Sequence, residues 1–335
     1  MPELDWFLDV SQYDRPQAVA ERAASAEELG YRTVTVGETT GWNVVPGLSL
    51  IADRTDEIDI GTAVLSPYGR SPALLAQTAL TLADTSDGRF RLGLGPSSPA
   101  ITERWHGRSF DRPLRRLRET VELVRTISTE GTSAYHGDVI DIDGLSYERG
   151  LPERPPAIDL ATLGPTATEL AGRFGDGWLP QLFTRDGLET RLEDLRRGAN
   201  LGDRTIDDVR VAPIVRCVVD DDPDRARSLA RSAVAFMLGA YGPFYGKSVA
   251  EQGYPDVVEA IRDAWTERDT DAMANALPDD LLDELAATGT PDEVREWVAD
   301  YAAIDGVDAV QVTFVDEMDE ADRERTLSAL GELAE

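Results

Sequence analysis

The sequence predicts a (β/α)8 barrel. Three observations carry that expectation: a strand, helix, strand unit within 61–107, a run of eight short apolar strands alternating with helices, and a length of 335 residues, which suits one barrel with insertions in the loops after its strands. One domain over 1–335 follows, because neither a linker nor an internal repeat divides the chain.

The elements read as follows. Leu4 to Val10 is apolar enough for a buried first strand, with Asp9 near its end. Pro16 to Gly30 is a helix with proline in the first turn and Val19, Ala23 and Ala26 on one face. Thr33 to Val36 is strand two, followed by GETTGWNVVP, and Ile58 to Val64 is strand three. Ser71 caps a helix that opens on Pro72 and carries Leu75, Ala79 and Leu82 at i, i+4 and i+7. Arg89 to Leu94 is strand four, and the long loop after it, GPSSPAITERWHGRSFD, is of a length that is usually functional when not disordered. Leu114, Leu117, Val121 and Val124 mark the next helix, and AYHGDVIDIDGLSYERG reads as a small hairpin insertion. Ala157 to Leu160, Gly177 to Leu179, Val209 to Val219 and Ala309 to Phe314 complete the strands, with helices over Thr166 to Phe174, Gly187 to Asn200, Pro223 to Tyr241 and Pro291 to Ile304 between them. The stretch 241–289 breaks this rhythm and reads as an insertion of several short helices, after which Thr290, Pro291 and Glu293 restart a helix through a capping box.

Composition narrows the function. Asp and Glu number 63 against 33 Lys and Arg, a net charge of −30, and Lys247 is the sole lysine. Acid scattered along many helices, with arginine in place of lysine, suits a protein from a very salty cytoplasm, where ions screen the self-repulsion that destabilises it at low salt. Nucleic acid is disfavoured as a partner, because no basic stripe exists. Cys217 is alone, which excludes an internal disulfide, and His106 and His136 have no neighbouring ligands, so no metal site is expected. The N-terminal stretch has no basic region leading an apolar segment, and no run of 18 apolar residues occurs, so the expectation is a cytoplasmic protein without a membrane partner.

Barrel chemistry sits at the C-terminal ends of the strands. That rule selects Asp9, Glu38, Ser66 to Arg70, Ser97, Ser98, Gln181 and Gln311. Asp9 either caps a loop or acts in the site; Glu38 ends an apolar strand and faces the mouth if Val36 faces outward. Gly93-Leu94-Gly95 lacks the third glycine of a dinucleotide fingerprint and instead permits close approach, either to a planar ring or between strands. The run from Ala161 to Thr166 leads a strand end into a helix, where free N–H groups, Gly164 and Thr166 suit a phosphate, with Arg70 as an assisting charge.

The segments GTAVLSPYGRSP, DGRFRLGLG and ERWHG, together with Ala171-Gly172-Arg173 and Asp176-Gly177-Trp178, resemble the bacterial-luciferase-like superfamily of flavin- and deazaflavin-dependent oxidoreductases. The likeness runs with gaps from Leu4 to Val312 and weakens between Pro243 and Ala287. It implies a (β/α)8 barrel, a non-proline cis peptide at Ala63–Val64 against the central ring of a cofactor, a phosphate loop at Leu163 and Gly164, and cofactor or substrate contacts at Ser97 and Ser98. It also implies subunits that pair through barrel helices. Many deazaflavin-using relatives have histidine after the acid that follows strand two; here Glu38 precedes Thr39, which argues against a sugar-phosphate dehydrogenase with a histidine base.

PYGRSP is similar to the corresponding run in archaeal methylenetetrahydromethanopterin reductases, which use coenzyme F420, and this favours F420 over FMN. The expectation is an F420-dependent oxidoreductase acting on a small molecule, with a methylene-tetrahydropterin or methylene-tetrahydrofolate as the substrate the resemblance suggests. An FMN-dependent luciferase-like monooxygenase and a non-catalytic flavin-binding relative are the alternatives. Within the first reading Glu38 is the expected acid and Asp9, on the adjacent strand, its electrostatic partner.

Overall fold

The computed structural model describes residues 3–333. Eight strands follow one another around a barrel: β1 Glu3–Leu8, β2 Thr33–Val36, β3 Asp59–Thr62, β4 Phe90–Leu94, β5 Ala157–Leu160, β6 Gly177–Trp178, β7 in two segments, Arg210–Val211 and Ile214–Val219, and β8 Ala309–Thr313. Each pairs in parallel with the next, and β8 returns to β1 in the register Glu3↔Ala309 to Trp6↔Val312. Pro213 interrupts β7, since proline has no N–H for the ladder. Its neighbours still close the barrel: Ile214 bridges Gln181 on one side and pairs with Gln311 on the other.

Alternation along the strands separates two environments. Leu4, Trp6 and Leu8 of β1, Val34 and Val36 of β2, and Leu92 and Leu94 of β4 face the helices and form the main core. The opposite faces point into the barrel, and their lower layer is ionic. Arg210 grips the fully buried Asp5 through both terminal nitrogens, at 2.6 and 3.0 Å, and Arg91 holds Asp159 at 2.6 and 2.8 Å. Burial pushes the Asp5 carboxyl up against the opposing pull of Arg210. Glycine makes the room: a Cβ on Gly177 would meet Asp159 Oδ1 at 2.2 Å, and one on Gly61 would meet the Arg91 carbonyl at 2.9 Å.

Several elements differ from expectation for local reasons. The stretch after Gly41 enters a helix, Val44–Arg54, capped by Asn43, with Pro46 within its first turn where no N–H is required. A short helix, Pro99–Arg104, sits inside the long loop after β4, and Asp319 caps a last helix, Glu320–Gly331. The insertion expected to be helical over 241–289 comprises four helices, Pro243–Glu251, Pro255–Glu267, Thr270–Ala276 and Asp279–Leu285, and then ends in a strand. That strand, Ala286–Gly289, pairs with Arg216 to Val219, of which Arg216 still pairs with β8 on its other side, so it satisfies an edge that would otherwise be exposed. Asp9 lies beyond β1, where its carboxylate caps the turn Val10–Gln12.

The ionic layer sets a stability expectation. Arg210→Met leaves Asp5 buried without its partner, which costs about 3–5 kcal/mol, whereas adding Asp5→Asn removes the stranded charge and recovers most of it. Chemical denaturation of the two variants checks this; a single variant within about 1 kcal/mol of the parent would contradict it.

Candidate active site

The site begins where the β3–β4 ladder fails. Regular pairing covers only Ile60↔Phe90 and Gly61↔Arg91. At the next step the Thr62 hydroxyl replaces the backbone: it accepts from Gly93 N–H at 2.8 Å and donates to Gly93 C=O at 2.9 Å. Pairing resumes at Leu65, whose N–H donates to the same carbonyl at 2.9 Å and whose C=O accepts from Gly95 N–H at 3.2 Å. Ala63 and Val64 therefore form an extra loop of strand, a bulge, joined by a cis peptide. A Cβ on Gly93 would fall 1.7 Å from the Thr62 carbonyl oxygen, and one on Gly95 would meet Val64 at 2.7 Å. The two glycines thus serve close packing between strands, one of the two roles open to them from sequence.

The bulge enters a small apolar cluster distinct from the main core. Leu179, Ala212, Ile214 and Ala309 are buried in it, and Phe7, Ala63, Val64 and Ala161 pack against it while remaining partly open. Phe7, Ala63, Val64, Ala161 and Leu179 come from the C-terminal ends of β1, β3, β5 and β6, and Ala212 and Ile214 from the break in β7. They make a floor across the barrel mouth. Gly37 permits it, because a Cβ there would touch both the Phe7 ring and the Ala63 carbonyl at 3.0 Å.

Polar groups surround the floor. Glu38, after β2, receives both terminal nitrogens of Arg70, after β3: Nη1 to Oε1, and Nη2 to Oε2 at 2.8 Å. Oε2 also accepts from Val44 N–H at 3.1 Å, the first residue of the helix Val44–Arg54. Asp9 instead accepts from Ser11 N–H at 2.8 Å. Each acid has local donors: the direct hydrogen-bonding partners of Glu38 are Arg70 and Val44 N–H, and that of Asp9 is Ser11 N–H. Arg70 is engaged by Glu38.

The expected phosphate loop has its own features. Gly164 precedes the helix Pro165–Phe174, no side chain caps it, and a Cβ on Gly164 would meet nothing within 4 Å. Neither backbone angle (φ −80) nor packing requires glycine there, and Thr166 lies exposed on the first turn. Leu163 turns away to pack on the main core. After β4, Ser97 adopts a left-handed conformation at φ 65 and the Ser98 hydroxyl caps the helix Pro99–Arg104. Gln181 adjoins the floor through its bridge to Ile214, whereas Gln311 is wholly buried mid-strand and donates to Thr35 Oγ1 at 3.0 Å, below the mouth.

The insertion reaches back over this surface. Phe244 packs on Phe110, which stacks on Tyr68, linking the segment after β7 to the loops after β3 and β4. His106 lies against Gly69. A separate hollow of about 180 Å³, lined by residues that include Trp6, Tyr13, Arg22, Phe314 and Arg323, lies outside the barrel on the helix-facing side of β1. Sequence reasoning missed Phe7, Ala161, Leu179 and Ile214 as floor residues; their inward parity on the strands was the available signal. Among the described residues no cluster of three or more metal-ligating side chains exists and no helix is long and apolar enough to cross a membrane.

Residues 5–308 match the family model described as luciferase-like monooxygenase. A Mycobacterium tuberculosis protein with the provisional name coenzyme F420-dependent oxidoreductase is 30% identical over 94% of both chains. The 5,10-methylenetetrahydromethanopterin reductase of Archaeoglobus fulgidus is 30% identical over 76% of this chain and 77% of its own. Among solved structures, the coenzyme F420-dependent tetrahydromethanopterin reductase of Methanopyrus kandleri superposes with a TM-score of 0.82 at 21% identity, covering 99% of this chain and 97% of that one. The last likeness is one of fold.

The interlock predicts which glycine the scaffold needs. Gly93→Ala forces a methyl into the Thr62 carbonyl and should destabilise by about 1–3 kcal/mol or more, read as a lowered melting temperature. An unchanged midpoint would contradict the bulge geometry.

Proposed function

The chain belongs to the luciferase-like monooxygenase family, and on that premise we propose that it is an oxidoreductase using coenzyme F420 to move hydride to or from a small organic substrate at the barrel mouth. The observation that carries the reading is the floor of Phe7, Ala63, Val64, Ala161, Leu179 and Ile214, an apolar and partly open platform. The name of the Mycobacterium relative, which prints coenzyme F420, supports the deazaflavin over FMN.

The residues present fit such a cofactor. A planar ring needs an apolar bed, which the bulge and its neighbours supply. A phosphate needs N–H donors and no obstructing side chain, which the uncapped start of Pro165–Phe174 and the open Gly164 supply. When bound, the deazaflavin supplies the carbon that gives or accepts hydride; the chain supplies binding, orientation and field. Ser97 and Ser98 border the same mouth and offer hydroxyls to cofactor or substrate. Glu38, through its grip on Arg70 and on the start of the helix Val44–Arg54, fixes a charged edge beside Gly37 and the floor. Its proposed part is electrostatic, on the substrate side, with Asp9 holding the turn after β1.

Titrating the purified protein with F420 and with FMN, followed by absorbance and fluorescence quenching, tests the reading. F420 should bind at micromolar concentration or below and FMN about tenfold or more weakly. Gly164→Val should weaken F420 at unchanged melting temperature, and Glu38→Gln should leave F420 affinity within about twofold. Tight FMN with no F420 binding would overturn the cofactor; unaltered F420 affinity in folded Gly164→Val would remove this loop as the phosphate site.

A further inference from the structure

Arg216 sits in β7 within the otherwise apolar run IVRCVV. It is two residues beyond Ile214 and four beyond Ala212, so its side chain leaves the strand on the face that carries the floor, one step nearer the mouth. The residue is only 8% exposed. Arg91 and Arg210, the other arginines on the inward faces, each hold a carboxylate bidentately. Arg216 holds none: its Nη1 is enclosed and has no hydrogen-bond partner among the described residues.

Its surroundings are those of a receptor and not of a structural ion pair. The charged or titratable groups acting on it are Tyr245 and Tyr241 of the insertion and Asp316 after β8, and Asp316 is solvent-exposed. Burial lowers the guanidinium's proton affinity, and these groups only partly oppose that effect. Thr313 stands opposite on β8. A buried guanidinium without a partner is costly, and the cost persists in a native protein where a ligand completes the pairing. In an eight-stranded barrel β7 lies across from β3, so Arg216 borders the floor on the side opposite the Ala63–Val64 bulge.

We propose that Arg216 receives a carboxylate or phosphate group of the substrate, which makes the substrate class an anionic small molecule whose reacting carbon lies over the floor. The assignment rests on the barrel mouth being the hydride-transfer site. It gives the anion to the substrate because the uncapped helix start at Gly164, after β5, already offers the cofactor's phosphate a place. The planar fork of Arg216 suits bidentate contact with either oxyanion.

The test uses the purified chain and inorganic phosphate as the probe, at ionic strength held constant with sodium chloride. In a Gly164→Val background, which closes the helix start proposed for the cofactor's phosphate, phosphate should raise the melting temperature, and adding Arg216→Met should abolish that rise. Without phosphate, Arg216→Met should melt at or above the parent temperature, because it removes a buried unpaired charge. A phosphate-induced shift retained when Arg216→Met is added to Gly164→Val, or an Arg216→Met variant that melts below the parent, overturns the proposal: the first places the anion elsewhere and the second makes the arginine structural. F420 titration separates the two sources of an anion. Unchanged affinity in Arg216→Met supports the substrate assignment, and a loss of about tenfold or more overturns it in favour of a cofactor group. If the parent itself fails to bind F420, the cofactor reading fails independently, and the phosphate experiment still decides the role of Arg216.

Discussion

The Thr62–Gly93 interlock is the constraint on which the mouth depends. One hydroxyl takes both backbone groups of Gly93, so β3 leaves its ladder and carries Ala63 and Val64 over the barrel's interior before Leu65 rejoins β4. Three glycines make this possible, each by withholding a Cβ: Gly93 under the Thr62 carbonyl, Gly95 beside Val64, and Gly37 against Phe7 and the Ala63 carbonyl. The floor is therefore a product of backbone packing, and its apolar character follows from which inward positions the bulge and its neighbours present.

Below and around that floor, charge is distributed in a graded way. The lower interior is filled by Asp5, Arg210, Arg91 and Asp159, all paired. At the rim Glu38 and Arg70 pair and pin a helix start. Arg216 differs from these cations in having no partner for its enclosed Nη1 among the described residues, although it too borders the floor. The contrast is physical: paired ions inside a barrel hold strands in place, whereas an unpaired one holds an unmet demand for an anion.

Much of this was legible in the sequence where the signal is local. Thr33–Val36 is a short buried run ended by Gly37 and Ala157–Leu160 one that opens after Pro155 and Pro156, and both appear with the bounds read for them. Ser71 with Pro72, and Thr290 with Glu293, announce helix starts that the structure contains. Illegible features depend on distant partners. Ala286–Gly289 is small and weakly strand-forming, and it is a strand because the far end of β7 offers it an edge. The helix Val44–Arg54 was hidden by Gly41 and Pro46, which read as loop punctuation although proline is harmless in a first turn. The direct donors to the two acids were also illegible: Arg70 reaches Glu38 from another strand end, and Ser11 N–H serves Asp9. Arg216 had a signal that went unused: a single charge inside IVRCVV, where every neighbour is apolar.

In the proposed function the floor at the Ala63–Val64 bulge carries the ring of a bound deazaflavin. A crystal structure of the protein with F420, grown at high salt, tests it most directly. The account predicts density for the ring against Val64 and Ile214 with the phosphate at the N–H groups of Thr166 and its successor. Density for the ring in the hollow between Trp6 and Arg323, with the floor covered by protein side chains, would contradict it.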